Sequence, residues 1–167
     1  TGWQWLVVGA VVLACVAVGL TVWGDHRWSG GVKDMQARLE AGRLDGRPGK
    51  HSLPTRYDAR ELEGLPAPVQ RYFRAVLKDG QPIITAVTID MAGRFNMSPT
   101  GEQWKPFTSR QRVITQRPGF LWDASIAMLP GLNVRVVDSY ITGQGLLRAA
   151  VQGLFTMAEE QGDGAIV

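Results

Sequence analysis

Between Trp5 and Trp23 the chain reads WLVVGAVVLACVAVGLTVW, about 19 residues without a single charge. As a helix rising 1.5 Å per residue, this stretch is close to the ~30 Å hydrocarbon thickness of a bilayer. A helix apolar on every side has no aqueous face, so the segment predicts a transmembrane anchor over residues 1–24. Trp3 and Trp5 at one end, and Trp23 and Trp28 at the other, are expected at the membrane interfaces. There an indole can keep its ring in apolar surroundings and its N–H near water. A cleaved signal peptide is the competing reading, but its apolar region would be shorter. Ala10, Ala14 and Ala17 form a stripe of small residues, with Gly19 and Cys15 beside it. Such a stripe suits close helix–helix packing in lipid, although small residues are common in any membrane helix. Cys15 is the single cysteine of the chain, so no internal disulfide and no cysteine cluster for zinc can form.

Charge begins only after this segment. The 167 residues carry a formal net charge of +3, and the basic residues are spread rather than massed on one face. Nucleic-acid binding would need a dense basic surface and is not expected. Arg27, Lys33, Arg38 and Arg43 follow the apolar segment and none precedes it. The positive-inside rule then leans the following domain toward the cytoplasm. The chain starts without methionine, and basic residues missing ahead of Thr1 would reverse that lean to the extracytoplasmic side.

Residues 25–56 read as a linker. Gly30-Gly31 and Gly46-Arg47-Pro48-Gly49 break regular structure, and a short helix is expected from about Val32 to Leu44. His26 and His51 fall in this region as solvated residues. From residue 57 a soluble domain follows, running to residue 167 and expected to be incomplete at its C-terminal end. Pro68 suits the first turn of a helix in which Val69, Tyr72, Phe73, Val76 and Leu77 share one apolar face. That face needs a sheet to lie against. From Ile83 onward period-two alternation dominates. Val87, Ile89 and Met91 share one face, as do Phe120, Trp122, Ala124, Ile126 and Met128. Turn signals at Pro118-Gly119, Pro130-Gly131 and Gly143-Gln144-Gly145 separate the runs. Five or six short strands joined by tight turns predict an antiparallel meander, and an α+β domain of one amphipathic helix and an open, curved sheet.

Four stretches occur in order: LPAPVQRYFRAVL at residues 65–77, WKPFTSRQR at 104–112, PGFLWDASIAM at 118–128 and VRVVDSYITGQGLLRA at 134–149. Together they resemble a family of bacterial membrane-anchored proteins of unknown function. The resemblance covers residues 65–167 and implies a membrane helix, a linker and a β-rich domain that continues past this chain. It implies a single pass in the bacterial inner membrane, and it brings no catalytic residues.

The folded part beyond Tyr57 holds no histidine and no cysteine, which removes serine–histidine and cysteine–histidine catalysis. No phosphate-binding loop and no zinc ligand set occurs, and no cofactor is expected. The carboxylates Asp90, Asp123 and Asp138 remain, with Arg110, Arg112, Arg135 and Arg148 able to pair with them across strands. The expectation is a protein without enzymatic activity; a hydrolytic turnover abolished by Asp123→Asn would overturn it. Trp104, Phe107, Phe120 and Trp122, with Asp123 and Arg135, are the candidate groove or partner surface. Two readings follow. In the first, the chain is an accessory or structural subunit that meets other subunits of a larger membrane complex, photosynthetic or respiratory assemblies being examples. In the second, helix and curved sheet enclose a cavity for lipid or another hydrophobe, lined by Trp104, Phe107, Phe120, Trp122 and Met128.

Overall fold

The computed structural model describes residues 2–44, 55–115 and 117–163. One helix, α1 (Gly2–Leu44), runs without interruption from the apolar segment into the soluble domain. A short 3-10 helix (Ala59–Leu62), capped by the Asp58 carboxylate, and α2 (Ala67–Val76) follow. The strands are β1 (Ala86–Asn96), β2 (Trp104–Ile114), β3 (Gly119–Leu129), β4 (Leu132–Ile141), β5 (Gln144–Val151) and β6 (Phe155–Asp163). They form one six-stranded antiparallel sheet in chain order, β1 to β6, with β1 and β6 as its open edges. The expected meander is therefore the fold. Its tight connections are legible in backbone geometry: Thr142 and Gly143 both have positive φ, at 50° and 91°, as a two-residue hairpin turn requires.

Helix α1 is long and apolar enough to cross a membrane in its first half, where its residues lie exposed. Its second half does something the sequence reading missed. Gly24, Trp28, Gly31, Met35, Leu39 and Gly42 recur every three or four residues, and this stripe lies along the sheet. Trp28, Met35 and Leu39 join Ile114, Leu121, Val137, Ile141 and Ala150 in the main buried core. The expected break at Gly30-Gly31 does not occur, and no separate helix starts at Val32. Glycine lowers intrinsic helix propensity by about 1 kcal/mol per residue, but here tertiary contact overrides it. Gly24 lies so close to Gln152 O and Leu154 that a Cβ would clash, and a Cβ at Gly42 would meet Thr142 Cγ2 at 3.0 Å. Glycine at these points lets helix and sheet approach. The linker expected over 25–56 is thus helical as far as Leu44 and packed as far as Gly42, while the Gly46–Gly49 breaker and His51 lie outside the described residues.

A second expectation also fails. Helix α2 buries no residue, and Tyr72 and Val76 on its apolar side are exposed. It packs beside the 3-10 helix, not on the sheet; α1 occupies the sheet instead. Residues 55–83 are tied together locally. Tyr57 N–H donates to Gln81 O at 2.9 Å, Ile83 N–H to Thr55 O at 3.0 Å, and Ala59 N–H to Asp79 Oδ1 at 2.8 Å.

Candidate functional site

Register divides the sheet residues between two faces. Across the face toward α1, Thr88, Arg112, Leu121, Ser139 and Leu146 fall in one row, and Asp90, Arg110, Asp123, Val137 and Arg148 in the next. This face is apolar only near Ile114, Leu121, Val137 and Ile141, where Met35 and Leu39 cover it. Elsewhere it is charged. Trp28 Nε1–H donates to Asp123 Oδ1 at 2.8 Å. Arg135 Nη2 holds Asp123 Oδ2 at 3.0 Å, and its Nη1 reaches Asp25 at 3.5 Å. The Arg135 and Arg148 guanidiniums lie 5.8 and 5.3 Å from the Trp28 ring centroid. Arg112 Nε pairs with Glu40 Oε1 at 2.7 Å, and Arg43 Nε with Glu40 Oε2 at 2.9 Å. The hydrogen bond from Arg112 holds the Glu40 carboxyl below its ordinary value, against the opposing effect of burial. These contacts pin a polar sheet face to a helix.

The opposite face is the more apolar. Its rows run Gly93–Phe107–Ile126–Val134–Val151–Phe155, then Met91–Ser109–Ala124–Val136–Ala149–Ala158, then Ile89–Gln111–Trp122–Asp138–Leu147–Glu160. The middle row is mostly small residues between two rows of larger ones, and Ser109 and Ala124 in it are buried. Among the described residues α1 is the helix that packs on the sheet, and it packs on the other side. Ser109, Gln111, Asp138 and Glu160 interrupt the apolar surface. The Ser109 hydroxyl is buried with no hydrogen-bond partner among the described residues. Burial pushes the Asp138 carboxyl above its ordinary value, only partly offset by a backbone hydrogen bond from Ser139.

The candidate residues therefore separate. Phe107, Phe120 and Trp122 lie together on the bare face, with Met128 on the same side of β3. Trp104 lies on the other face, paired with Asn96, and does not join them. Asp123 and Arg135 belong to the helix-covered face, where they bind each other and Trp28. Among the described residues the amphipathic helix expected to close a cavity over Phe107, Phe120 and Trp122, α2, packs beside the 3-10 helix and not on the sheet. Of the four interfacial tryptophans, Trp3, Trp5 and Trp23 are exposed on α1, but Trp28 is 4% exposed and is a core residue. Periodicity could have signalled this, since Trp28 shares the stripe of Gly24, Met35 and Leu39. Ala10, Ala14 and Ala17 do share one side of α1, whereas Gly19 falls about 180° around the helix from Ala10.

The position of the bare face matters as much as its chemistry. Gly24 meets the turn between β5 and β6, and Gly42 meets Thr142 in the turn between β4 and β5. Helix α1 thus runs along the strands, and its apolar half leaves from the sheet end that carries the β1–β2, β3–β4 and β5–β6 turns. Exposed Phe95, Trp104, Leu129 and Phe155 gather at that end.

A family described as one of unknown function (DUF6920) matches residues 63–166. The chain belongs to this family. No curated protein and no solved structure matches it.

Proposed function

We propose that the protein is a single-pass membrane protein of the inner membrane whose sheet holds lipid acyl chains or similar hydrophobes, without enzymatic activity. The observation that carries this reading is the bare apolar face, whose rows reach the end from which the apolar half of α1 departs. Soluble proteins seldom leave contiguous apolar surface exposed without a partner for it. Here the neighbouring phase is the bilayer, and Ile89, Phe95, Leu147 and Phe155 of this face are exposed, whereas Ile126 and Val134 are buried within it. Asp123, the carboxylate best placed for chemistry, is occupied by Trp28 and Arg135, which supports a structural role for it.

The test uses the full chain in nanodiscs containing phospholipid with a photoactivatable group at the acyl terminus. Cross-links are expected on the exposed Phe95, Leu147 and Phe155 as well as on residues 2–23. Cross-links confined to residues 2–23 would sink the reading. A second reading, an accessory subunit of a larger membrane complex, is favoured by edge strand β6, every residue of which is exposed. Such an edge is a template for a partner strand. Migration of the gently extracted protein as a monomer would count against it.

A further inference from the structure

Most arginines on and around the helix-covered face have a polar partner; for Arg38 it is the Gln144 side chain at 3.4 Å. Arg110 pairs with Asp90, Arg112 and Arg43 with Glu40, and Arg135 with Asp123 and Asp25. Arg27 and Arg148 make no ion pair among the described residues. Both border one cleft of about 190 Å³ between α1 and the β5–β6 end, with Trp28, Gly31, Gly153 and Thr156 also in its wall and no carboxylate there. Arg148 Nε is buried and has no hydrogen-bond partner among the described residues. Glu159 stands opposite Arg148 in the strand register, but its Oε1 accepts from the Gln161 amide at 2.8 Å. The Arg148 guanidinium is held against the Trp28 ring, while Arg27 lies over Trp23 at 5.9 Å. No carboxylate lines the cleft that the two guanidiniums border, so an anion entering it meets two positive charges. Arginine forks match phosphate oxygens in geometry and in charge.

Height above the anchor narrows the anion. Arg27 follows Trp23 by four residues, about 6 Å along the helix axis. Headgroup layers extend roughly 5–8 Å beyond the hydrocarbon on each side. The geometry points to a phosphate-binding site formed by Arg27 and Arg148, filled by the headgroup of a phospholipid in the leaflet beside Trp23. The site rests on α1 as a membrane anchor, and does not depend on hydrophobe binding at the bare face.

The test is native mass spectrometry of the full chain in mild detergent, titrated with phosphatidylglycerol, with diacylglycerol of the same acyl chains, or with inorganic phosphate. Phosphatidylglycerol is expected to bind at least tenfold more tightly than diacylglycerol. Arg27→Gln should remove most of that preference, and Arg148→Lys should retain more of it than Arg148→Gln. Arg27 is exposed and makes no ion pair among the described residues, so its replacement leaves the fold intact. An unchanged preference in Arg27→Gln overturns the site. Inorganic phosphate binding as tightly as the lipid would overturn the headgroup as its source. Release of the chain from membranes by alkaline wash would sink the anchor reading, and the lipid source with it.

Discussion

The two faces of the sheet are built from the same strands by the same alternation, yet the helix lies on the one that carries more charge. On that face Asp123, Arg135 and Arg112 are neutralised in pairs that include Asp25 and Glu40 of α1, and the apolar patch around Val137 is only as large as Met35 and Leu39 can cover. On the other face Ile89, Leu147 and Phe155 stand exposed with no helix over them. Hydrophobic content alone does not choose the face that a helix covers. The choice follows from complementarity: glycines that admit close approach, an indole N–H for a carboxylate, and an acid for an arginine.

The most direct way to break the contrast is to remove core on the covered face. Leu39→Ala should cost about 2–5 kcal/mol, measured by chemical denaturation, because the side chain is buried between helix and sheet. Trp28→Phe preserves most of the ring packing and removes the bond to Asp123, so the expected loss is smaller, about 1.5–3 kcal/mol. On the bare face Trp122→Ser should cost less than Leu39→Ala while strongly reducing acyl cross-linking at neighbouring positions. Equal destabilisation by Leu39→Ala and Trp122→Ser would mean that the two faces are alike after all.

Acid titration sharpens the contrast with the smallest effect, since the two faces respond with opposite sign. The folded-state pKa of Glu40 is depressed by Arg112, so its contribution is present above the unfolded value of 4.5 and is lost as pH falls through the folded pKa. The folded-state pKa of Asp138 is raised by burial, so its contribution is full below 3.8 and is lost as pH rises through the folded pKa. Asp138→Asn should therefore stabilise slightly at neutral pH, and Arg112→Gln should flatten the acid-side fall. Melting curves of both variants between pH 3 and 7 check this.

Much of the architecture was legible in the residues. Uncharged length marked the apolar half of α1, and alternation through Phe120–Met128 with Pro-Gly turns marked the meander. What was not legible came from tertiary contact. Gly30-Gly31 reads as a break until Arg148 and the sheet lie against Gly31. The apolar side of α2 predicts a partner that α1 has already taken. Trp28 reads as interfacial by its distance from Trp23, and only its phase with Met35 and Leu39 shows otherwise. Trp104 reads with Phe107 by its aromatic character, yet an odd separation of three residues in a strand puts them on opposite faces, an arithmetic that alternation itself supplies.

The uninterrupted α1 is a rod of about 65 Å, and it carries rotation as well as height. Ala10, Ala14 and Ala17 lie in angular phase with Gly24, Trp28 and Met35, so the small-residue side of the apolar half and the sheet hang from the same side of one axle. Anything that seats against those alanines would sit beneath the sheet. One residue inserted after Trp23 would swing the whole domain by about 100° relative to that seat, and seven would bring it back nearly to its starting bearing.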